Sequence, residues 1–308
     1  MKYQTNIDSV ALQIDFEKTE EQRNKLSLLC LWVTTRGLGK LEQDKNSKFI
    51  TKYDVYFGGT IIFTIHSGFT SKENSLTGKI EGLNYIRIRF AGLKSLKQKQ
   101  DEASFNALMT ICGWLNTTRT KYRMVELDVA IDTFCSFDNI LAICVNKSGK
   151  TTYNEIGHKQ YYRDVPTSYV EKYGNEKEAN NAVLRSYLYN KSVKEGLLGS
   201  SITRFELKLQ NRFFLKYGFS EKSIMEAMNR YYVMYFDSIQ KKDQYIRLLN
   251  NFKITPKEME IFGLNKFRLF ADGNVITDFI RQVQSVYVDF YWNIVVPIVD
   301  SRLSEKKL

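Results

Sequence analysis

Three short stretches of this 308-residue chain place acids, lysines and tyrosines two residues apart. They are Glu126-Leu127-Asp128-Val129-Ala130-Ile131-Asp132, Arg185-Ser186-Tyr187-Leu188-Tyr189-Asn190-Lys191 and Arg204-Phe205-Glu206-Leu207-Lys208-Leu209. On a β-strand, residues two apart share a face. Glu126, Asp128, Ala130 and Asp132 then lie on one face, with Leu127, Val129 and Ile131 on the other. Arg204, Glu206 and Lys208 likewise oppose Phe205, Leu207 and Leu209, while Tyr187, Tyr189 and Lys191 line up together. If the three strands are neighbours, their shared face gathers the groups that phosphoryl transfer needs. Carboxylates suit a hard divalent cation such as Mg2+ or Mn2+, which polarises a scissile phosphate and stabilises charge on the leaving oxygen. A tyrosine, with an ordinary pKa of ~10, becomes a useful nucleophile where a metal or a lysine favours its phenolate. The same periodicity also describes a solvated sheet face whose opposite charges pair across strands.

The elements that would carry these stretches read as α+β: a mostly antiparallel sheet region with packed helices over residues 1–216, followed by a helical C-terminal region over 217–308. Val10 to Phe16 alternates as a strand, and Glu20 to Val33 has helical apolar spacing. Gly58-Gly59 separates two strand-like runs, as a tight hairpin requires. Asn84 to Phe90 sets Tyr85, Arg87 and Arg89 against Ile86, Ile88 and Phe90, giving a cationic face and a core face. Ala103 to Asn116 is a helix leading into the strand Met124 to Thr133. Residues 146–181 are polar and read as short strands joined by long loops. Val183 to Lys191 and Ile202 to Gln210 form a hairpin. Beyond residue 216 the pattern predicts helices over Ser220 to Ile239, Lys242 to Asn251, from the capping box Thr255-Pro256-Lys257-Glu258, and over Ile276 to Leu303. No internal repeat is visible. The helical tail is a candidate for DNA binding or dimerisation.

Composition narrows the class of partner. Lysines and arginines number 45 against 34 acids, a formal charge of +11, which suits a polyanion through counterion release. With 20 Phe and 19 Tyr, aromatic rings are available to stack on bases. The lysines of Gly92 to Lys99 form a basic cluster that serves either as a DNA-backbone contact or as a solvated helix start. Cys30, Cys112, Cys135 and Cys144 show no C-x-x-C pair and sit in apolar runs, as reduced, buried thiols do. His66 and His158 are the chain's histidines, so a zinc site is disfavoured, and His66, ending a strand, reads as a surface residue. The N-terminus lacks a signal-peptide core, and no run is long enough to span a membrane. The expectation is a cytoplasmic protein with no membrane partner.

Taken in order, the three stretches give a strand with D-x-x-x-D, an aromatic strand ending in Y-x-K, and R-F-E-L-x-L. This order resembles the trans-acting plasmid initiators of rolling-circle replication and, more loosely, the replication proteins of filamentous phages. The likeness runs from about residue 123 to 212. It implies a tyrosine that attacks one DNA strand at a replication or mobilisation origin, leaving a 5′-phosphotyrosyl link and a free 3′-hydroxyl, with a divalent metal held by acids. Position by position, Tyr189 matches the nucleophile, with Lys191 and Lys208 neutralising the phosphate. Asp128 and Glu206 match the acidic positions, and Asp132 is a further metal-ligand candidate. Tyr187, on the same face, stays open as a rival. Tyr231 and Tyr235, four apart on the predicted helix, have the spacing of two-tyrosine nicking enzymes, but the His-hydrophobic-His motif of those enzymes is missing. The family also implies a homodimer and a host helicase as partner, since this chain has no phosphate-cradling G-x-x-x-x-G-K-(S/T) loop. The alternative is a non-catalytic, sequence-specific DNA-binding protein of a mobile element using the same basic surface.

Overall fold

Long alternating runs of β-branched and aromatic residues with polar ones fold here into strands paired by neighbouring antiparallel connections. The computed structural model describes residues 2–45, 51–73, 80–93, 99–145, 151–152, 160–162, 165–170, 182–197, 199–252, 258 and 268–290. The chain forms two compact units, Ile7–Leu127 with Asp278–Leu308, and Met1–Asn6 with Asp128–Thr277. The division falls inside strands β1 (Tyr3–Phe16) and β6 (Arg123–Thr133) and inside the C-terminal helix Gly273–Phe290.

The first unit orders its strands β2-β3-β4-β5-β1, with β2 (Lys40–Gln43), β3 (Thr51–Phe57), β4 (Thr60–Glu73) and β5 (Ile80–Ala91). Leu12 faces Ile88 across one ladder and Ile65 faces Ile88 across the next. Val10, Leu12, Ile14, Phe63, Ile65, Ile86, Ile88 and Phe90 are each no more than 1% exposed, and such burial contributes about 1.5–3 kcal/mol per side chain. Helices α1 (Thr19–Thr35) and α2 (Lys99–Thr117) pack on this sheet. Leu26, Leu29 and Val33 of the first and Leu108, Ile111 and Leu115 of the second are buried, and Trp32 stacks on Trp114 at 5.4 Å. The Gly58-Gly59 hairpin is present, with φ of 57° and 82° and Phe57 opposite Thr60. Only glycine takes two such positive angles without strain.

The opposite face of this sheet is polar, with Gln13, Arg87, His66 and Lys52 in one row across four strands. Arg87 donates twice to Gln13 Oε1, at 3.1 and 2.7 Å, and Arg89 pairs with Glu126 at 2.9 Å. His66 is not the surface residue expected from sequence: it is 4% exposed, its ring edge-on to Tyr85. The reason is register, since the pleat turns His66 toward the same side as Arg87 and Tyr85, a face that half-buried side chains cover.

The second unit places β12 (Thr203–Gln210) beside β6, then β11 (Leu184–Asn190), β10 (Val165–Tyr169) and β9 (Gln160–Tyr162). A separate sheet runs β14-β13-β7-β8, from β14 (Arg268–Leu269), β13 (Tyr231–Tyr235), β7 (Ile140–Val145) and β8 (Thr151–Thr152). Each unit thus sets a run of four consecutive antiparallel strands beside its first strand, a topological repeat that no sequence repeat announces. Helices α3 (Lys191–Glu195), α4 (Asn211–Tyr217), α5 (Glu221–Met228), α6 (Ile239–Phe252) and α7 (Gly273–Phe290) complete the described chain. Leu141, Ile143, Met234 and Phe236 form one core with Tyr245 and Leu249 of α6.

The architecture is α+β with a large antiparallel sheet, as expected. The helix predicted over Ser220 to Ile239 is two elements instead: α5 ends at Met228, and Tyr231 to Tyr235 is a strand in register with β7, Val233 opposite Ala142. Tyr-Tyr-Val-Met-Tyr suits a pleated surface better than a helix, so Tyr231 and Tyr235 do not share a helical turn. The C-terminal third therefore mixes strands with helices. The start of the capping-box helix at Thr255, the end of the helix expected over Ile276 to Leu303, His158 and most of the Gly92 to Lys99 cluster lie outside the described residues. Cys30, Cys112, Cys135 and Cys144 are free thiols, and among the described residues no helix is long and apolar enough to cross a membrane.

Candidate active site

The three stretches that motivated a phosphoryl-transfer reading lie on adjacent strands β6, β12 and β11 of the second unit. Between β11 and β12, Arg185 stands opposite Lys208, Tyr187 opposite Glu206 and Tyr189 opposite Arg204. All six therefore share one face, while Phe205, Leu207 and Leu209 are fully buried on the other. From β6, Asp128 and Asp132 reach the same face, since they contact Lys208 and Arg204 respectively.

At one end of this face is a buried charge cluster. Arg204, 1% exposed, makes a two-pronged pair with Asp132, Nε to Oδ1 at 2.6 Å and Nη2 to Oδ2 at 2.7 Å. Lys191 Nζ donates to Asp132 Oδ2 at 2.8 Å, and Asn6 Nδ2 donates to the same oxygen at 3.0 Å. Burial alone would raise the Asp132 carboxyl, but the hydrogen bonds and charges of Arg204 and then Lys191 hold it below the usual carboxylate value. A carboxylate so surrounded is kept charged and fixed in orientation.

Beside this cluster, opposite Arg204, lies the tyrosine. Tyr189 Oη donates to Glu206 Oε2 at 3.0 Å. Lys194 Nζ donates to Tyr189 Oη at 3.2 Å and lies 4.3 Å from the centre of its ring. Toward the other end, Lys208 Nζ pairs with Asp128 Oδ2 at 3.2 Å, and the Arg185 guanidinium stands 5.4 Å from the centre of the Tyr187 ring.

Sequence reasoning thus selected residues that the fold gathers on one face, Asp128, Asp132, Tyr189, Glu206 and Lys208, together with Lys191, which reaches Asp132 from beyond the strand. It placed Lys191 as a continuation of the strand beside Tyr189. The strand stops at Asn190, and Lys191 opens α3, from where its ammonium reaches Asp132. Lys194, which the strand-only reading passed over, is a cation that touches Tyr189. Its signal was present in Asn190-Lys191-Ser192-Val193-Lys194, an N-capping asparagine followed by residues three apart. Arg204 and Asn6 were also missed as partners of Asp132, because cross-strand and long-range partners have no local signature.

The donor set can be weighed against a divalent cation. Among the described residues no three His, Cys, Asp or Glu side chains come close enough together to hold a metal ion. The two oxygens of Asp132 are occupied by cations. Asp128 and Glu206 lie on adjacent strands and the same face, each with one oxygen engaged, by Lys208 and by Tyr189 respectively.

No family model matches this chain, and no curated protein is similar to it. Among solved structures, it is similar to a rolling circle replication initiator protein from Geobacillus stearothermophilus. The two are 13% identical, with 92% of this chain and 97% of that chain covered and a TM-score of 0.37.

Proposed function

We propose that this chain is a rolling-circle-type replication initiator that nicks and rejoins one DNA strand through Tyr189. One observation carries the reading: the Tyr189 hydroxyl lies between a carboxylate able to accept its proton and an ammonium able to stabilise its negative charge. A general base within hydrogen-bond reach of the nucleophile is the arrangement that activates a hydroxyl. The ordered motifs from 123 to 212 and the +11 charge support a DNA substrate.

In the proposed reaction Tyr189 Oη attacks the scissile phosphorus while its proton passes to Glu206 Oε2. The bond from phosphorus to the 3′-oxygen breaks, leaving a 5′-phosphotyrosyl link and a 3′-hydroxyl that primes synthesis. Lys208 supplies positive charge for the phosphate from the neighbouring row. Asp128 and Glu206 would hold Mg2+ or Mn2+, which polarises the scissile phosphate when bound. Asp132 is a positioning residue: by fixing Arg204 and Lys191 it anchors the start of β12 and the start of α3. Tyr187 lies opposite Glu206 in register, but Tyr189 is the tyrosine whose hydroxyl bonds to it.

The test is incubation with Mn2+ and a labelled library of single-stranded DNA, followed by denaturing electrophoresis. A covalent protein–DNA adduct is expected for the wild type and for Tyr187→Phe, and none for Tyr189→Phe. An adduct that survives in Tyr189→Phe refutes the nucleophile assignment. Binding without any adduct in the wild type leaves the non-catalytic DNA-binding reading in its place.

A further inference from the structure

Lys194 lies outside the three motifs, yet its ammonium contacts the Tyr189 hydroxyl. Its placement follows from local structure. Strand β11 ends at Asn190, whose side chain caps α3 by accepting from Val193 N–H at 3.0 Å. The helix closes one turn later at Gly196, in the left-handed region with φ of 65°. Two further ties hold α3 against the start of β12: Lys191 N–H donates to Ile202 O at 2.9 Å, and Ile202 N–H donates to Ser192 Oγ at 2.8 Å. On this turn Lys191 and Lys194 are three apart and so share a helix face. Lys191 is directed to Asp132 and Lys194 to Tyr189. The Lys194 ammonium has two independent contacts with the tyrosine, one to the oxygen and one over the ring, so its position is defined although its stem is exposed.

We propose that Lys194 is a catalytic residue of both nicking and joining, the donor that stabilises negative charge on Tyr189 Oη. The inference rests on Tyr189 being the nucleophile. In nicking, the bond from Oη to phosphorus forms and the bond from phosphorus to the 3′-oxygen breaks. The phenolic proton goes to Glu206, and the departing 3′-oxygen takes a proton from water. In joining, the 3′-hydroxyl gives up its proton to water and attacks phosphorus. The bond to Oη breaks, its electron pair stays on Oη, and the proton returns there from Glu206. Oη carries developing charge in both directions, as attacking atom in one and leaving atom in the other. A preorganised ammonium aimed at that atom lowers both barriers, whereas a lysine that grips the DNA backbone acts mainly on binding.

Three variants test this at one pH and one salt concentration: Lys194→Met, Lys194→Gln and Lys194→Arg. Single-turnover adduct formation is measured on a strand that the wild type cleaves. Joining is measured by adding a 3′-hydroxyl oligonucleotide to the isolated adduct. Lys194→Met and Lys194→Gln are expected to slow both steps, on the order of tenfold to a hundredfold for loss of a hydrogen bond from a charged donor. The dissociation constant for the uncleaved strand stays within about twofold, because less than one phosphate contact is lost. Lys194→Arg recovers part of both rates. Wild-type rates in Lys194→Met and Lys194→Gln overturn the proposal, as does a loss confined to binding. If the wild type itself forms no adduct, the reading of Tyr189 fails first and this inference falls with it, an outcome distinct from an active wild type with indifferent Lys194 variants.

Discussion

Among the described residues Arg204 is the largest fully buried side chain, and its charge is tolerated because Asp132 meets it with both oxygens. A buried pair of this kind adds little net stability over an apolar equivalent, but removing one partner leaves an isolated charge and costs about 3–5 kcal/mol. Its value here is orientation, since the same carboxylate also holds Lys191. His66 shows the opposite case, a buried titratable group whose neighbours disfavour its charge. Burial first, then Arg87, Lys52 and Arg89, push its pKa from 6.5 down to about 4, with Glu126 opposing. The folded state therefore binds this proton less readily than the unfolded chain. Above about pH 6.5 His66 contributes no pH dependence. As pH falls from there toward 4 the unfolded state takes up the proton first, and stability is lost by up to roughly 3 kcal/mol. Urea unfolding at pH 7 and pH 5 checks this: the wild type is expected to lose more stability over that interval than His66→Gln, and equal losses would refute it.

At the scale of elements, the site depends on where β11 becomes α3. Asn190 both ends the strand and caps the helix, and Gly196 closes it within five residues. Replacing Asn190 by Ala removes the cap and is expected to cost about 1 kcal/mol of stability. It also releases the turn that carries Lys194, so single-turnover adduct formation is expected to fall by more than the stability change explains. A variant that is less stable but cleaves at the wild-type rate, measured well below its melting temperature, would show that the cap does not position the lysine. The transition itself was readable in part: the hairpin of two strands follows from alternation, but the helix inside its loop needed the capping asparagine to be weighed above the strand period. Tyr231 to Tyr235 shows the same competition in reverse. Its apolar residues fit a helical stripe locally, and pairing with β7 decides for a strand.

For the whole molecule, the basic excess is a property of the sum of charges rather than of any one site. Many of those charges on the polar sheet faces are matched by acids, as in Arg89 with Glu126 and Arg123 with Asp15, so the net +11 is what a polyanion meets. Affinity for single-stranded DNA is expected to fall by more than about tenfold between about 50 and about 200 mM salt, measured by fluorescence anisotropy. A flat salt response would remove the nucleic-acid reading. Alternation of polar and apolar residues by itself determined the three strands of the candidate site, their core faces and the acids and tyrosines on one side of them, because a pleat with a period of two leaves no other assignment once one face is buried. It determined the charge and the free cysteines as well. Only the tertiary structure decided which partners meet: Asp132 with Arg204 and Lys191, Tyr189 with Glu206 and Lys194, His66 beneath its neighbours. Those pairings depend on strand order, register and the point where a strand turns into a helix, and these are fixed by contacts between residues far apart in the chain.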